Sequence, residues 1–375
     1  MERTTDNYEP FAKPADQATT THGRIVLSTQ KSSQLRPPDD RSGAGPREAA
    51  ARAVEPNAAH LKTSARLNVL LVGEESAGIE TLRMLAASEH HIAGVLAHQP
   101  DESSSATLWN AANRMGYKTS PAELVKSANF ASEVERLQVD LLLNVHSLYI
   151  IDAALLSACR IGAFNLHPGP LPHYAGLNVP SWAIYNGETE HAVTLHEMVP
   201  QIDAGKIVYE QQVAIDRRDT GLTLSLKAVR AGVPLIAKLI AAASVSPETI
   251  PRQNQDLSSR RYFDAGPPNG GCLSWNRSAI DVVNQVRASD FAPFVSPWGH
   301  PKTSVNGTEI GITAADLTNG STSSKPGTVG ETLDGGILVA AADEWVLVRQ
   351  VNVDGRRTSP LESLCPGDRL CEESS

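Results

Sequence analysis

The sequence predicts an α/β protein in which a doubly wound, mostly parallel sheet is followed by a small β-rich domain. Mainly apolar runs, such as residues 67–73 and 140–145, are typical of strands that are buried on both faces of a parallel sheet. Helical segments separate these runs, which is the strand–helix–strand order of a doubly wound fold. Beyond residue 271, alternating segments between Gly-rich turns indicate antiparallel strands instead.

Composition divides the chain into five parts. Residues 1–66 are rich in Ser, Thr, Pro, Ala, Arg and Asp and lack apolar periodicity, so we expect a disordered N-terminal arm. Residues 246–271 cluster Pro, Asn, Gln and Gly, which is typical of a linker. We therefore predict an α/β domain at 67–245, a β-rich domain at 272–358 and a polar tail at 359–375.

The elements of the two domains follow from local periodicity. In the first, strands are predicted at 67–73, 92–97, 140–145, 162–167, 193–198 and 206–213, and helices at 77–88, 105–115, 131–137, 153–159, 180–186 and 223–243. In the second, we predict a helix at 280–288 and strands within 302–312, 336–342 and 345–351. The first strand–helix turn, Gly-Glu-Glu-Ser-Ala-Gly, lacks the GxGxxG pattern, and its acids would repel a pyrophosphate, so we exclude a dinucleotide site there.

Charge and cysteine content exclude several classes of function. The chain has a net charge of −9, with +2 on residues 1–66 and −11 on the rest, so it lacks the dense Lys and Arg of nonspecific nucleic-acid binders. Its four cysteines show no CxxC spacing, which favours free thiols in a reducing, cytoplasmic compartment over disulfides or a zinc site. We find neither a secretory signal nor an apolar run long enough to span a bilayer.

Two polar residues lie at the end of the strand predicted at 162–167. The period of a strand places Asn165 and His167 on one face, while Phe164 and Leu166 point into a core. Three prolines at alternate positions after His167 restrict the following loop. A carboxamide beside an imidazole suits chemistry at a carbonyl carbon, although a histidine that only hydrogen-bonds loop backbone is the alternative.

A third polar residue, Asp203, lies in a turn between apolar segments, 36 residues after His167. It could orient His167 and stabilise its imidazolium form, or it could simply satisfy its own turn. The sequence separation alone does not decide between the two. His146, His173 and His196 are the other imidazoles nearby, and His196 falls in a predicted strand, where we expect a structural role.

Residues 164–176, together with Ile202-Asp-Ala-Gly205, resemble the folate-dependent formyltransferases, the family that includes methionyl-tRNA formyltransferase. The family pattern is Asn-x-His, then a Pro-rich loop, and later an Asp-Ala/Thr-Gly turn. Similar segments follow in the family order at 182–187, 193–196, 273–280 and 326–328. The resemblance covers roughly residues 67–355. It implies a formyltransferase-like α/β domain of the Rossmann type and an OB-like C-terminal domain.

The resemblance implies transfer of a formyl group from 10-formyltetrahydrofolate to an amine, without a metal. Asn165 would then hydrogen-bond the developing oxyanion, His167 would carry the proton and Asp203 would hold His167.

By position, Tyr149, Ile150, Ile151 and Gln201 correspond to the residues that receive the pterin in the family. An ordinary strand-to-helix turn is the alternative for the first three. Two departures from the family affect this site. An aromatic-Gly pair is absent from residues 146–149, and Val199-Pro-Gln201 replaces a commonly acidic segment.

The acceptor is expected to be a small amine: an amino acid, a hydroxyornithine, a carrier-bound aminoacyl group or an amino sugar. Residues 98–107 carry two acids where tRNA-acting members have a basic insertion, and Ala175 replaces a common Arg. A methionyl-tRNA formyltransferase, a 10-formyltetrahydrofolate hydrolase and a non-catalytic folate-binding protein are the alternatives. The sequence leaves open whether the protein is a monomer or a homodimer.

Overall fold

A computed structural model describes residues 64–100 and 107–371, so the predicted arm lies almost wholly outside the described residues. The apolar runs of the first half form the strands of one sheet. The elements are, in chain order, β1 (Asn68–Gly73), α1 (Glu75–Ala86), β2 (His91–Ala97), α2 (Leu108–Arg114), β3 (Thr119–Pro121), α3 (Ala131–Arg136), β4 (Leu141–Val145), α4 (Ala153–Ala158), β5 (Gly162–His167), β6 (Ala175–Gly176), α5 (Val179–Tyr185), β7 (Glu190–Glu197), β8 (Ile207–Ala214) and α6 (Gly221–Val245).

The sheet has seven strands in the order β3-β2-β1-β4-β5-β7-β8. The first five are parallel, whereas β7 and β8 are antiparallel to their neighbours. Every residue of β4 is buried, as expected for a strand covered on both faces. The predicted fold class is therefore confirmed. The three-residue strand β3 was not predicted, because Thr-Ser-Pro contains no apolar run.

Helix α6 packs against the face of the sheet that carries Leu166. Its Gly232 lies so close that a Cβ atom there would come within 2.9 Å of Leu166 Cδ2. By length and mean hydropathy, 1.6 in its most apolar window, this helix could cross a membrane. The expectation of no such run was therefore wrong. Burial of Leu224, Ile236 and Leu239 in the core explains the apolar character of α6 without a membrane.

The second half forms an antiparallel sheet with one helix packed on it. Its elements are β9 (Tyr262–Phe263), α7 (Ala279–Ala288), β10 (Lys302–Val305), β11 (Thr308–Ser321), β12 (Val329–Leu333), β13 (Gly336–Ala340), β14 (Glu344–Val353), β15 (Arg356–Thr358) and β16 (Leu370–Cys371). The sheet order is β12-β13-β14-β11-β10-β16, with β15 paired to β14 and with β9 outside this sheet. This confirms the predicted β-rich domain.

The C-terminal sheet extends beyond residue 358, where the sequence predicted a polar tail. Leu364 and Leu370 are each 2% exposed in the core of this domain, and β16 pairs with β10. Leu364 and Leu370 are buried even though the average composition of the segment is polar. The predicted boundary between the β-rich domain and the tail, at residue 358, therefore lies too early in the chain.

The segment predicted as a linker crosses the α/β domain. Within it, β9 pairs in parallel with β6, and Gln253 exchanges two backbone hydrogen bonds with Ile207. Further on, Trp182 contacts Trp298 edge to face at 5.0 Å, and Arg277 Nη1 donates to the Tyr185 hydroxyl at 2.6 Å. The first two contacts tie the predicted linker to β6 and β8, and the last two tie the C-terminal domain to α5.

Candidate active site

Three polar side chains lie side by side on neighbouring strands of the seven-stranded sheet. Asn144 of β4 is the register partner of Asn165 of β5, and Asn165 is the register partner of His196 of β7. Directly opposed residues on neighbouring strands point to the same face. We call these three residues the polar rung. They lie on the opposite face from Leu166 and helix α6.

The polar rung is linked by hydrogen bonds. His196 Nδ1 donates to the Glu197 carbonyl at 2.7 Å, so His196 Nε2 accepts from Asn165 Nδ2 at 3.2 Å. Asn165 Oδ1 accepts from Asn144 Nδ2 at 3.0 Å. Asn165 therefore uses its acceptor and one of its two N–H donors within the protein. It is half-buried, and its second N–H remains available to a ligand.

His167 follows Asn165 by two residues on β5, so its side chain points to the same face as the polar rung. Only 3% of its surface is exposed. Its Nε2 donates to the Tyr174 carbonyl at 2.6 Å, which leaves the lone pair on Nδ1. That nitrogen is 3.7 Å from Asp203 Oδ1. Burial lowers the pKa of His167 below 6.5, although Asp203 and the Tyr174 carbonyl oppose the shift, so the imidazole is neutral at pH 7.

Asp203 completes the site from the loop after β7. Its Oδ2 accepts from the Gly176 backbone N–H at 2.9 Å, and its Oδ1 lies 3.5 Å from His196 Nε2. Burial opposes ionisation of this carboxyl, but His167, His196 and the Gly176 amide outweigh it and hold the pKa well below the usual range. Asp203 is therefore an anion close to two imidazoles.

The predicted linker holds the loop that carries Asp203. Gln255 Nε2 donates to the backbone carbonyls of Asp203 and Gly205, at 2.9 and 2.6 Å. Arg260 Nη2 donates to the Ile202 carbonyl at 3.0 Å. A loop with few partners of its own is thus stabilised by a segment some 50 residues later in the chain.

The Pro-rich loop after His167 is held in place from the neighbouring strand β7. Thr194 Oγ1 donates to the Gly169 carbonyl at 2.8 Å, and His191 Nε2 donates to the Pro168 carbonyl at 2.7 Å. A Cβ atom at Gly169 would lie 2.8 Å from the Tyr174 carbonyl that His167 binds. Glycine is therefore needed for this approach.

The structure brings Asn165, His167 and Asp203 together, as the sequence indicated. The four residues predicted to receive the pterin differ from one another in exposure and in contacts. Ile150 is 64% exposed and Gln201 is exposed on the Asp203 loop, so both can reach a ligand. The Tyr149 hydroxyl donates to Glu123 at 2.5 Å, so its polar end is already engaged. The Ile151 side chain is buried in the core and offers a ligand only its backbone.

Sequence reasoning missed Asn144 as a site residue and assigned His196 a structural role, yet both contact Asn165. A signal for each was present: Asn144 interrupts the apolar run of β4, and His196 follows a buried Val-Thr-Leu segment. What could not be inferred was the strand register that places them opposite Asn165.

A cavity of about 470 Å³ adjoins β9, the strand that pairs with β6. Its wall is built from aromatic and proline side chains and contains one acid and no Lys or Arg: Trp182, Tyr262, Phe263, Asp264, Gly266, Pro267, Pro268 and Asn269. Phe263 stacks on Tyr174 with 4.9 Å between ring centroids. One aromatic stack therefore connects the cavity to the loop that binds His167.

Nothing in the described ranges, 64–100 and 107–371, forms a group of three or more His, Cys, Asp or Glu residues that could hold a metal ion.

Two family models match the chain. The formyl transferase model matches residues 64–239, and the model of the formyl transferase C-terminal domain matches residues 267–369. The first match contains Asn165, His167 and Asp203, and the second covers most of the antiparallel sheet.

Solved structures of similar fold include three with folate compounds. One is an N-formyltransferase from Helicobacter canadensis in complex with folinic acid and dTDP-3-aminofucose, with 20% identity and a TM-score of 0.58 over 75% of this chain and 98% of that one. The sugar 3N-formyltransferase WlaRD, with dTDP and 5-N-formyl-THF, has 17% identity and a TM-score of 0.57 over 77% and 98%. HypX from Aquifex aeolicus, in complex with tetrahydrofolic acid, has 17% identity and a TM-score of 0.55 over 80% of this chain but only 47% of its own.

Proposed function

Because the chain belongs to the formyl transferase family, we propose that it moves a formyl group from 10-formyltetrahydrofolate to the amine of a small-molecule acceptor. The observation that carries the proposal is the convergence of a free N–H of Asn165, the Nδ1 lone pair of His167 and the Asp203 carboxylate on one face of the sheet. These are the groups that acyl transfer from an amide-like donor to an amine requires.

The loops beside the polar rung suit a planar, partly apolar donor. Leu148 and Ile150 after β4, and Val199 and Ile202 after β7, are large apolar side chains that are between 40 and 76% exposed. Apolar side chains at the mouth of a polar site commonly bind ring systems. The donor would supply the formyl carbonyl group.

The protein's own residues can then promote both halves of the transfer. As the amine nitrogen bonds to the formyl carbon, the free N–H of Asn165 stabilises the negative charge on the formyl oxygen. Neutral His167 accepts the amine proton at Nδ1, and Asp203 stabilises the imidazolium that forms. When the bond to the folate nitrogen breaks, His167 returns this proton to the leaving nitrogen, so the balance of protons closes.

The aromatic cavity supports a small acceptor. A volume of about 470 Å³ suits a small molecule, and a wall without Lys or Arg offers no phosphate contacts for a tRNA. An amino acid, a hydroxyornithine, a carrier-bound aminoacyl group and an amino sugar remain the proposed classes. One protein of similar fold was crystallised with the sugar nucleotide dTDP-3-aminofucose, and another is a sugar 3N-formyltransferase that was crystallised with dTDP. Both support including the amino sugars.

The test is an acceptor screen with 10-formyltetrahydrofolate that monitors both release of tetrahydrofolate and mass gain of the acceptor. We expect formylation of at least one small amine and none of charged initiator tRNA, with Asn165→Ala as the matched inactive control. Efficient formylation of the tRNA would contradict the small-amine proposal. Tetrahydrofolate release without any acceptor would instead assign a hydrolase, and activity retained in Asn165→Ala would contradict the mechanism.

We place the enzyme in the cytoplasm, because all four cysteines are free thiols. Burial raises the pKa of Cys159 to about 12, so this thiol is unreactive.

We propose that the protein is a monomer or a homodimer, and light scattering of the purified protein distinguishes the two.

A further inference from the structure

Asn144 is an unusual residue for its position. It is 5% exposed on β4, where the other four residues are Leu-Leu-Leu and Val. Its Oδ1 is buried and has no hydrogen-bond partner among the described residues. A buried amide with an unpaired oxygen destabilises the fold relative to an apolar residue of the same size, so packing does not account for an asparagine here.

The direction of the hydrogen bonds along the polar rung is set at one end by the backbone. The Glu197 carbonyl can only accept, so His196 Nδ1 must carry a proton, and a ring that carries one proton has its lone pair at Nε2. Asn165 must therefore turn an N–H toward His196 and its oxygen toward β4. At the other end, that oxygen needs a donor, and Asn144 Nδ2 is the donor that reaches it.

We propose that Asn144 is a positioning residue that holds the carboxamide of Asn165 in the one orientation that points its second N–H at the reacting formyl oxygen. The proposal rests on the proposed formyl transfer. Without a donor at position 144, the Asn165 amide is held from one side only and can rotate about its terminal torsion. An acceptor at position 144 would reverse it, and Asn165 would then turn its N–H groups away from the reacting oxygen.

Asn144→Asp tests this directly, because it keeps the size of the side chain but replaces the donor with a second acceptor. We expect kcat to fall by about 10- to 100-fold, somewhat less than after removal of Asn165, while KM for the donor changes less than about twofold. Thr81→Val is the matched control. Thr81 is also fully buried, but among the described residues its hydroxyl donates only to the Ala77 carbonyl of its own helix. We therefore expect removal of this hydroxyl to leave kcat unchanged.

The double variant separates positioning from folding. If Asn144 acts through Asn165, then Asn144→Asp causes no further loss of kcat in an Asn165→Ala background. An equal loss in both backgrounds overturns the proposal, as does full activity of Asn144→Asp. Thermal unfolding of each variant shows whether the fold is retained. Asn144→His, which keeps a side-chain N–H donor, is expected to restore part of the kcat that Asn144→Asp loses, whereas a loss of kcat that only follows the loss of stability overturns the proposal.

A second readout does not require turnover. In ¹⁵N-labelled wild-type protein, the side-chain amide protons of Asn165, assigned by their loss in Asn165→Ala, are expected to exchange slowly and to shift strongly in Asn144→Asp. Unchanged Asn165 signals overturn the proposal even if no acceptor is found. A wild-type enzyme that fails to transfer formyl groups contradicts the proposed function alone.

Discussion

Asp203 stands between two imidazoles, with its Oδ1 3.7 Å from His167 and 3.5 Å from His196. The three side chains are buried, and the carboxylate keeps its charge because the Gly176 amide donates to it and because each imidazole, once protonated, favours the anion. A fixed anion at this distance lowers the free energy of the imidazolium form of His167 without making the resting ring cationic, which suits the proton transfer proposed for this residue.

The isosteric variant Asp203→Asn tests the charge alone. Asp203 has φ +53°, a left-handed conformation that asparagine adopts readily, so the loop is expected to keep its shape. We expect kcat/KM to fall by roughly 10²- to 10⁴-fold, because the imidazolium of His167 loses its counter-ion. Steady-state kinetics measure this, and a thermal midpoint close to that of wild type excludes misfolding. Retention of more than a tenth of the activity would show that the carboxylate only holds the loop.

At the scale of elements, the site depends on a two-stranded ribbon formed by β6 and β9. Ala175 N–H donates to the Arg261 carbonyl at 3.0 Å, and Leu177 N–H donates to the Phe263 carbonyl at 2.9 Å. Gly176, between them, donates to Asp203 on the other side. The ribbon thus connects the loop that carries Asp203 to the aromatic cavity, and Ala175, the position where the sequence suggested acceptor selection, is buried in it.

Gly176→Ala is predicted to break this ribbon. Gly176 has φ +100°, and a Cβ atom there would lie 2.2 Å from the Phe263 carbonyl oxygen, so backbone must move. We expect a loss of about 1–3 kcal/mol of stability and a fall in kcat/KM, because Asp203 loses the Gly176 amide. Gly266→Ala is the control for stability, because a Cβ atom there meets nothing within 4 Å. Chemical denaturation compares the two variants, and an equal loss of stability in both would contradict the close approach at Gly176; steady-state kinetics of Gly176→Ala measure the change in kcat/KM.

At the scale of the whole molecule, the buried His167 and His191 and the half-buried His146 lie near one end of the sheet. Burial lowers the pKa of His146 and of His191 to about 4, and it also lowers the pKa of His167. In the unfolded chain all three return to about 6.5. Between about pH 6.5 and 4, the unfolded state therefore binds protons that the folded state does not.

Stability is accordingly expected to fall as the pH is lowered through this window. Each such histidine lowers the free energy of unfolding by up to about 1.4 kcal/mol per pH unit. Asp203, whose folded pKa is depressed, acts in the same direction but only below its ordinary value of 3.8. Thermal unfolding in buffers from pH 7.5 to 4.5 measures the slope, which should be shallower in His191→Gln. A midpoint that stays constant or rises toward pH 4.5 would contradict burial of these rings in neutral form.

Local sequence was sufficient for most elements and for three site residues. The apolar runs specified β1, β4 and β5, because strands covered on both faces need apolar residues at nearly every position. The strand period placed Asn165 and His167 on one face, whereas Asp203 was selected by its resemblance to the Asp-Ala/Thr-Gly turn of the formyltransferases.

Only the tertiary structure decided which residues meet these three. Asn144 and His196 lie 21 and 31 positions from Asn165, and the linker residue Gln255 lies 52 positions from Asp203. Contacts at such separations depend on strand order, on strand register and on where the linker packs back on the α/β domain. A shift of register by one residue would turn a side chain of the polar rung to the opposite face of the sheet. The sequence by itself therefore selected the three candidate groups, whereas the packing of the chain determined how Asn165 is held and which segments form the aromatic cavity.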